Sequence, residues 1–331
     1  MLRLLGSELC KIIAPSALIF IALFIFSLQI ESPTPNNRIL DVNDALNSLE
    51  GSSPAYVMFK SPLLAVDEPA VILIGPSNVQ LGFRPAEIAP LLPGITPHNL
   101  SFGGANIDGM AAAVDLVYGQ RPIGRRDDLI FVFGLWYGEF LHNESNPAIT
   151  PLGRQMQRFG IFQYQDDRFV LQVRPESFDL IAWLLRPIFA VQKLVGSSSP
   201  LARKLSNNRS DTTTAPSPLP TLSNVDIPDA QLAALVAISK RIKREGGALV
   251  LADLPMPSRH TESEPLWSRY QSIKRAILQT CIEWGAVYLD MQDLNDNTDF
   301  SDYTHPLPAA TVKWAARLAA GLKQAGLVPQ R

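Results

Sequence analysis

The chain has 331 residues, 47% of them hydrophobic, and a formal net charge of -2. That length and apolar content exclude a disordered chain and allow one large domain or two small ones. The near-neutral charge, with no Lys/Arg run interleaved with aromatics, speaks against a nucleic-acid partner.

The first informative element is the N-terminus. After residues 1–11, the segment Ile12 to Ile30 (IIAPSALIFIALFIFSLQI) has no charged residue. It is long enough to cross about 30 Å of hydrocarbon. Arg3 and Lys11 precede it and Glu31 follows, so the positive-inside rule puts the short N-terminus in the cytoplasm and the remaining chain outside. A cleaved signal peptide is the alternative, but FSLQIESPTP offers no small-x-small cleavage site, which favours a retained anchor.

Residues 31–69 are polar and proline-dotted, with a short helix expected over Val42 to Leu49. They read as a stalk, and the folded unit is expected to span 70–331. Within it, short apolar runs begin at Val71 (VILIG), His98 (HNL), Leu129 (LIFVFG), Ala248 (ALVLAD) and Ala286 (AVYLD). Helix-period segments lie between and after them, over 106–118, 229–244, 266–284 and 308–322. This alternation predicts a parallel sheet covered by helices on both faces. An insertion at about 140–227 breaks the rhythm. Its first part, FDLIAWLLRPIFAVQKLVG, reads as an extra helix packed on the sheet, or as a lid or a surface docking on a membrane or on a membrane partner; its second part has the Ser/Thr/Pro/Asn composition of a loop.

Ligands of an open parallel sheet bind beyond the carboxyl ends of its strands. The first strand is followed by Gly75-Pro76-Ser77-Asn78, the second by NLSFGGAN with Gly103 and Gly104, and the last by DYTHP with Asp302 and His305. A serine hydroxyl needs a neighbouring base, and His305 can supply one near neutral pH. Asp302 can orient His305 and stabilise its imidazolium. Backbone N–H groups of Ser77 and Gly104 are candidates for holding an oxyanion. Each piece alone has a plainer reading: Ser77 as a helix N-cap, FGGAN as a bend, DYTHP as the loop before a helix. Their conjunction at one edge points to a catalytic serine.

The order and spacing of these blocks resemble the SGNH (GDSL-like) hydrolase superfamily over about residues 70–321, outside the insertion. GPSNVQLGF resembles its first block, NLSFGGAN its second and DYTHPLPAAT its fifth. The resemblance implies a flavodoxin-like, three-layer α/β/α sandwich with Ser77 as nucleophile, Gly104 in the oxyanion hole, and Asp302 and His305 completing a triad. One block departs: where the family has Gly-x-Asn-Asp, this chain has FGLWYGEF, with Gly134 matching and Trp136 in place of the Asn. Loss of such a donor typically costs about 10² to 10³ in rate. Asn78, Asn106 or a backbone N–H could replace it, while Trp136 and Tyr137 read as substrate-facing or core side chains.

The departure and the single anchor together are similar to the membrane-anchored branches of that superfamily, such as alginate O-acetyltransferase-like proteins and the D-alanyl transfer protein of lipoteichoic acid synthesis. That similarity implies an O-acyl esterase or O-acyltransferase acting on acylated glycan or another envelope polymer, often beside a multi-spanning membrane O-acyltransferase. A non-catalytic scaffold or glycan-binding partner with the same fold is the alternative, favoured by Trp136 and the insertion. Two cysteines, Cys10 and Cys281, make no disulfide framework and have no zinc-type neighbours. His98, His142 and His260 are scattered and read as structural or solvent-facing, and KRIKRE at 240–245 as a solvated helix end. No metal and no cofactor is called for.

Overall fold

A computed structural model describes residues 2–28, 38–50, 52–140, 146–197, 229–262 and 265–329. The helices used below are α1 (Leu2–Leu28), α2 (Ser53–Lys60), α3 (Ser77–Gly82), α4 (Ile107–Gln120), α5 (Pro151–Arg158), α6 (Pro175–Ser197), α7 (Asp229–Arg244), α8 (Pro265–Glu283) and α9 (Pro308–Gln324). The strands are β1 (Ala70–Ile74), β2 (Thr96–Asn99), β3 (Leu129–Leu135), β4 (Phe162–Gln165), β5 (Arg168–Leu171), β6 (Ala248–Asp253) and β7 (Val287–Asp290).

Five strands form one parallel sheet in the order β2-β1-β3-β6-β7. With the β4–β5 hairpin set aside, that order is 2-1-3-4-5, and the chain reverses direction across the sheet between β1 and β3. The strands read as continuous apolar runs because both faces are covered. Ile72, Ile74, Phe131, Phe133, Leu249 and Leu251 point to one face, where α4, α7 and α8 pack. Val71, Leu73, Ile130, Val132, Val250 and Ala252 point to the other, against Val79 of α3 and Trp314 and Leu318 of α9. The two sets interleave with the period of two that a pleated strand imposes.

The segment read as a stalk is instead part of the folded unit from residue 38 onward. Leu40, Val42, Tyr56, Val57, Met58 and Phe59 are all buried in the same core as Ile72 and Phe131. Backbone pairing joins it to the sheet edge: Asp41 bridges Asn99, and Asn99 N–H donates to Leu40 O at 2.8 Å. The polar residues that suggested a stalk face outward or cap turns, as Asp41 does for Asn43 N–H at 3.0 Å. Residues 29–37 lie outside the described residues.

The insertion holds more order than expected. Its β4–β5 hairpin turns on Asp166 and Asp167, both with positive φ (48° and 58°), the backbone of a tight two-residue turn. Helix α6 buries Phe178 and Phe189 against Phe59, at ring-centroid distances of 6.3 and 4.8 Å. It therefore packs on α2 and the side of the domain rather than on the sheet. The expected loop over the second half of the insertion lies outside the described residues.

Six buried large side chains at about 1.5–3 kcal/mol each match the whole net stability of an ordinary domain, about 5–15 kcal/mol. A chain beginning at Arg38 should therefore unfold cooperatively in a thermal melt, and one beginning at Ala70 should lack that transition. A second consequence concerns acid. His98 is buried and its Nδ1 accepts the Leu40 N–H at 3.0 Å. Burial, reinforced by the Arg121 charge, lowers its pKa from 6.5 to about 4. Between those values the unfolded chain binds the extra proton and the folded one does not, so stability falls as pH drops through this window, by about 3 kcal/mol in all. Denaturant titrations of His98→Asn should show a flatter acid-side slope than the wild-type chain.

Candidate active site

Gly75 and Pro76 lead straight from β1 into α3, so Ser77 is the first residue of that helix at the carboxyl edge of the sheet. Pro76 occupies the N-cap, and the Ser77 hydroxyl is not used as a cap. Instead, Ser77 Oγ lies 2.8 Å from His305 Nε2. On the other side of the ring, His305 Nδ1 lies 2.6 Å from Asp302 Oδ2. Sequence reasoning named all three residues, and the structure brings them into one hydrogen-bonded line.

The loop carrying Asp302 and His305 is held closed at its base. Phe300 and Pro306 form an antiparallel bridge, and Ser301 N–H donates to His305 O at 2.9 Å. Asp302 Oδ1 accepts the N–H groups of Thr304 (2.9 Å) and His305 (2.8 Å), leaving Oδ2 for the ring. Burial pushes the Asp302 carboxyl up, but the hydrogen bonds from the His305 ring, the His305 N–H and the Thr304 N–H outweigh it and hold the group below its ordinary 3.8. A carboxylate that stays ionised accepts the Nδ1 proton, which fixes the tautomer and turns the bare Nε2 toward Ser77.

Helix α3 is fixed against that loop by close contact. A Cβ added to Gly82 would lie 2.2 Å from the Trp314 ring and 3.1 Å from Pro306 Cγ, so only glycine lets α3 approach α9 this closely. Asn78 Nδ2 donates to Thr304 Oγ1 at 3.0 Å, tying the residue after the serine to the residue before the histidine. The far end of α3 is capped from two sides, with Asn99 Nδ2 donating to Phe83 O (2.8 Å) and Asn43 Nδ2 to Gln80 O (2.9 Å).

Around the hydroxyl, the Ser77 N–H stands at a helix start, where intrahelical partners are lacking. The Gly103-Gly104 turn lies beside it: a Cβ on Gly103 would be 4.0 Å from Ser77 Cβ, and Gly104 has φ +75° with open space around it. Both glycine N–H groups are free of backbone hydrogen bonds among the described residues.

The other sequence candidates take different places. Asn78 is buried and its amide is committed to Thr304, so it is a brace rather than a substrate contact. Asn106 caps α4, its Oδ1 accepting the Gly109 N–H at 3.0 Å, which leaves only its amide NH₂ to offer. Trp136 is half-buried and packs on Tyr137 at a ring-centroid distance of 4.9 Å; its indole N–H is buried with no acceptor among the described residues. Tyr137 is fully buried, with its hydroxyl 2.8 Å from His260 Nε2, so it belongs to the core and not to an open substrate surface.

Two groups escaped the sequence reading. Glu139 is buried with neither carboxyl oxygen bonded among the described residues, and burial pushes its pKa well above the ordinary 4.5, toward the neutral acid. Asp253 ends β6 and pairs with Lys274 while accepting from Tyr288 (2.6 Å), Gln292 (3.0 Å) and Tyr270 (3.2 Å). Its position at a strand's carboxyl end was the available signal; its dense partners mark it as a structural anchor for α8 and β7.

No family model matches the chain, and no curated protein does. Among solved structures it is similar to LAE5, an alpha/beta hydrolase enzyme from the metagenome of Lake Arreo, Spain, with a TM-score of 0.42 and 13% identity, covering 79% of this chain and 97% of that one. A likeness at that level carries no argument about activity. The chain's own geometry has to do so.

Thr304→Val should leave the Asn78 amide buried without its acceptor. A loss of about 1–3 kcal/mol in stability is expected, read as a lower denaturant midpoint.

Proposed function

We propose that the protein is a serine-dependent O-acyl esterase or O-acyltransferase of SGNH type, with a flavodoxin-like sheet, anchored by α1 and acting outside the cytoplasmic membrane on acylated glycan or another envelope polymer. The observation that carries this reading is the hydrogen-bonded line from Ser77 Oγ through His305 to Asp302. The 2-1-3-4-5 sheet order supports the fold assignment. The packing of α1 on the domain supports a retained anchor over a cleaved signal: Arg186 Nη2 donates to Ser27 O at 2.7 Å, and Ser27 is fully buried.

The mechanism follows from the proton positions. As Ser77 Oγ attacks the acyl carbonyl, its proton passes to His305 Nε2, and Asp302 stabilises the imidazolium through Nδ1. The carbonyl oxygen, now an anion, is held by the N–H groups of Ser77 and of Gly104 or Gly103. Collapse breaks the bond to the leaving alcohol, which takes the proton from Nε2, and an acyl-serine remains. Water or a sugar hydroxyl then gives its proton to His305 and attacks the acyl carbon; the adduct collapses, the bond from Ser77 Oγ to the acyl carbon breaks, and Oγ takes the proton back from Nε2. Water makes the protein an esterase, and a sugar hydroxyl makes it a transferase. A multi-spanning membrane O-acyltransferase is the partner that the resemblance to the membrane-anchored branches implies.

Trp136, standing where a side-chain oxyanion donor is expected, favours the second reading of a non-catalytic scaffold. A serine-directed fluorophosphonate separates the two. The full chain in detergent should label, and Ser77→Ala should abolish labelling. His305→Ala and Asp302→Asn should each slow ester cleavage by about 10³-fold or more with an unchanged thermal transition. A wild-type chain that does not label would overturn the enzyme reading in favour of the scaffold.

A further inference from the structure

We infer that α6 is a second membrane contact: one face of this helix rests in the extracytoplasmic lipid interface beside the end of α1. The inference rests on the anchored reading of α1 given above.

Three sides of α6 have different surroundings. One carries Phe178 and Phe189 into the domain core. The next meets α1, where Trp183 packs edge-on to Phe24 at 4.3 Å between ring centroids and Arg186 bonds both Ser27 O (2.7 Å) and Ser27 Oγ (3.4 Å). The third is apolar and, among the described residues, uncovered. Leu180, Leu184, Ile188 and Val191 are each between 39% and 57% exposed. Leu180, Leu184, Ile188 and Val191 are spaced by four, four and three residues, so they share one face. That face is about 16 Å long at 1.5 Å per residue.

A contiguous apolar stripe of this kind on a water-soluble surface marks an interaction site. What covers it is indicated by its neighbour. The apolar window Lys11–Leu28 of α1 is only 6% buried by the protein, so whatever solvates α1 also reaches the adjoining face of α6. Around a membrane span that solvent is lipid. The side chains at the junction fit the boundary between hydrocarbon and water. Trp183 presents an apolar ring with one polar edge, the pattern enriched at membrane interfaces. Arg186 reaches the C-terminal carbonyl of α1 over an apolar stem, which satisfies a helix-end acceptor that lipid could not. Helix α6 thus has a core face, a helix-docking face and a lipid face, as an interfacial helix fused to a domain requires.

The test is spin-label accessibility of the full chain in vesicles of phosphatidylethanolamine and phosphatidylglycerol. Single labels are placed by Leu184→Cys, by Ile21→Cys in α1 and by Val312→Cys on exposed α9, in a Cys10→Ser, Cys281→Ser background; fluorophosphonate reaction at Ser77 and a cooperative melt check each variant. The expected result is an oxygen-to-nickel-chelate collision ratio at Leu184 several-fold above that at Val312 and close to that at Ile21. A Leu184 ratio equal to that of Val312, with Ile21 still lipid-exposed, overturns the inference while leaving the anchor intact. A Leu184 label shielded from both reagents also overturns it, since a protein, whether a second copy or another partner, then covers the face. An aqueous Ile21 label means that the anchored reading itself has failed.

Discussion

The hydrogen bond between Ser77 Oγ and His305 Nε2 joins positions 228 residues apart, and most of the structure at the sheet edge exists to keep its ends in register. A serine at the start of a short helix and a histidine in a five-residue loop are each mobile on their own. Here the helix is clamped from below by the Gly82 contact with Trp314 and Pro306, from the side by Asn78 on Thr304, and at its far end by Asn99 and Asn43. The loop is closed by the Phe300–Pro306 bridge and stiffened by the two N–H bonds into Asp302. Preorganisation of this kind is what lets a weakly nucleophilic hydroxyl act at neutral pH, because the proton acceptor is already in place.

The N-terminal segment belongs to the same logic. Residues 38–65 supply Asn43 to the end of α3, Leu40 to the sheet edge and a row of aromatics and aliphatics to the core. The domain therefore begins within about ten residues of the end of α1, with α6 docked on its last turn. In the proposed arrangement, that short spacing holds the domain near the membrane surface, which suits a polymer substrate assembled there.

What the sequence made legible followed from strong periodicity and from strand-end chemistry. VILIG, LIFVFG and ALVLAD are runs that only a doubly covered sheet accommodates, and the residues following β1 and β7 held the serine and the Asp/His pair. The stalk reading failed because its cue was composition: Asp41 caps a short turn and Pro54 sits in the first turn of α2, while the burial of Tyr56 through Phe59 depends on tertiary partners that no local pattern reveals. The Asp166-Asp167 turn was overlooked because neither residue is the glycine that usually flags positive φ. Asn78 looked like a substrate contact by its adjacency to Ser77, yet it is spent on Thr304, a residue 226 positions away.

The central claim is that Ser77 carries the acyl group, and the most direct measurement is to trap it there. The full chain, mixed with p-nitrophenyl acetate, quenched in acid and digested, should show one acetyl group on the peptide containing Ser77, with the same peptide unmodified in His305→Ala. An acetyl group found only on other residues, or equally on Ser77 without His305, would contradict the account.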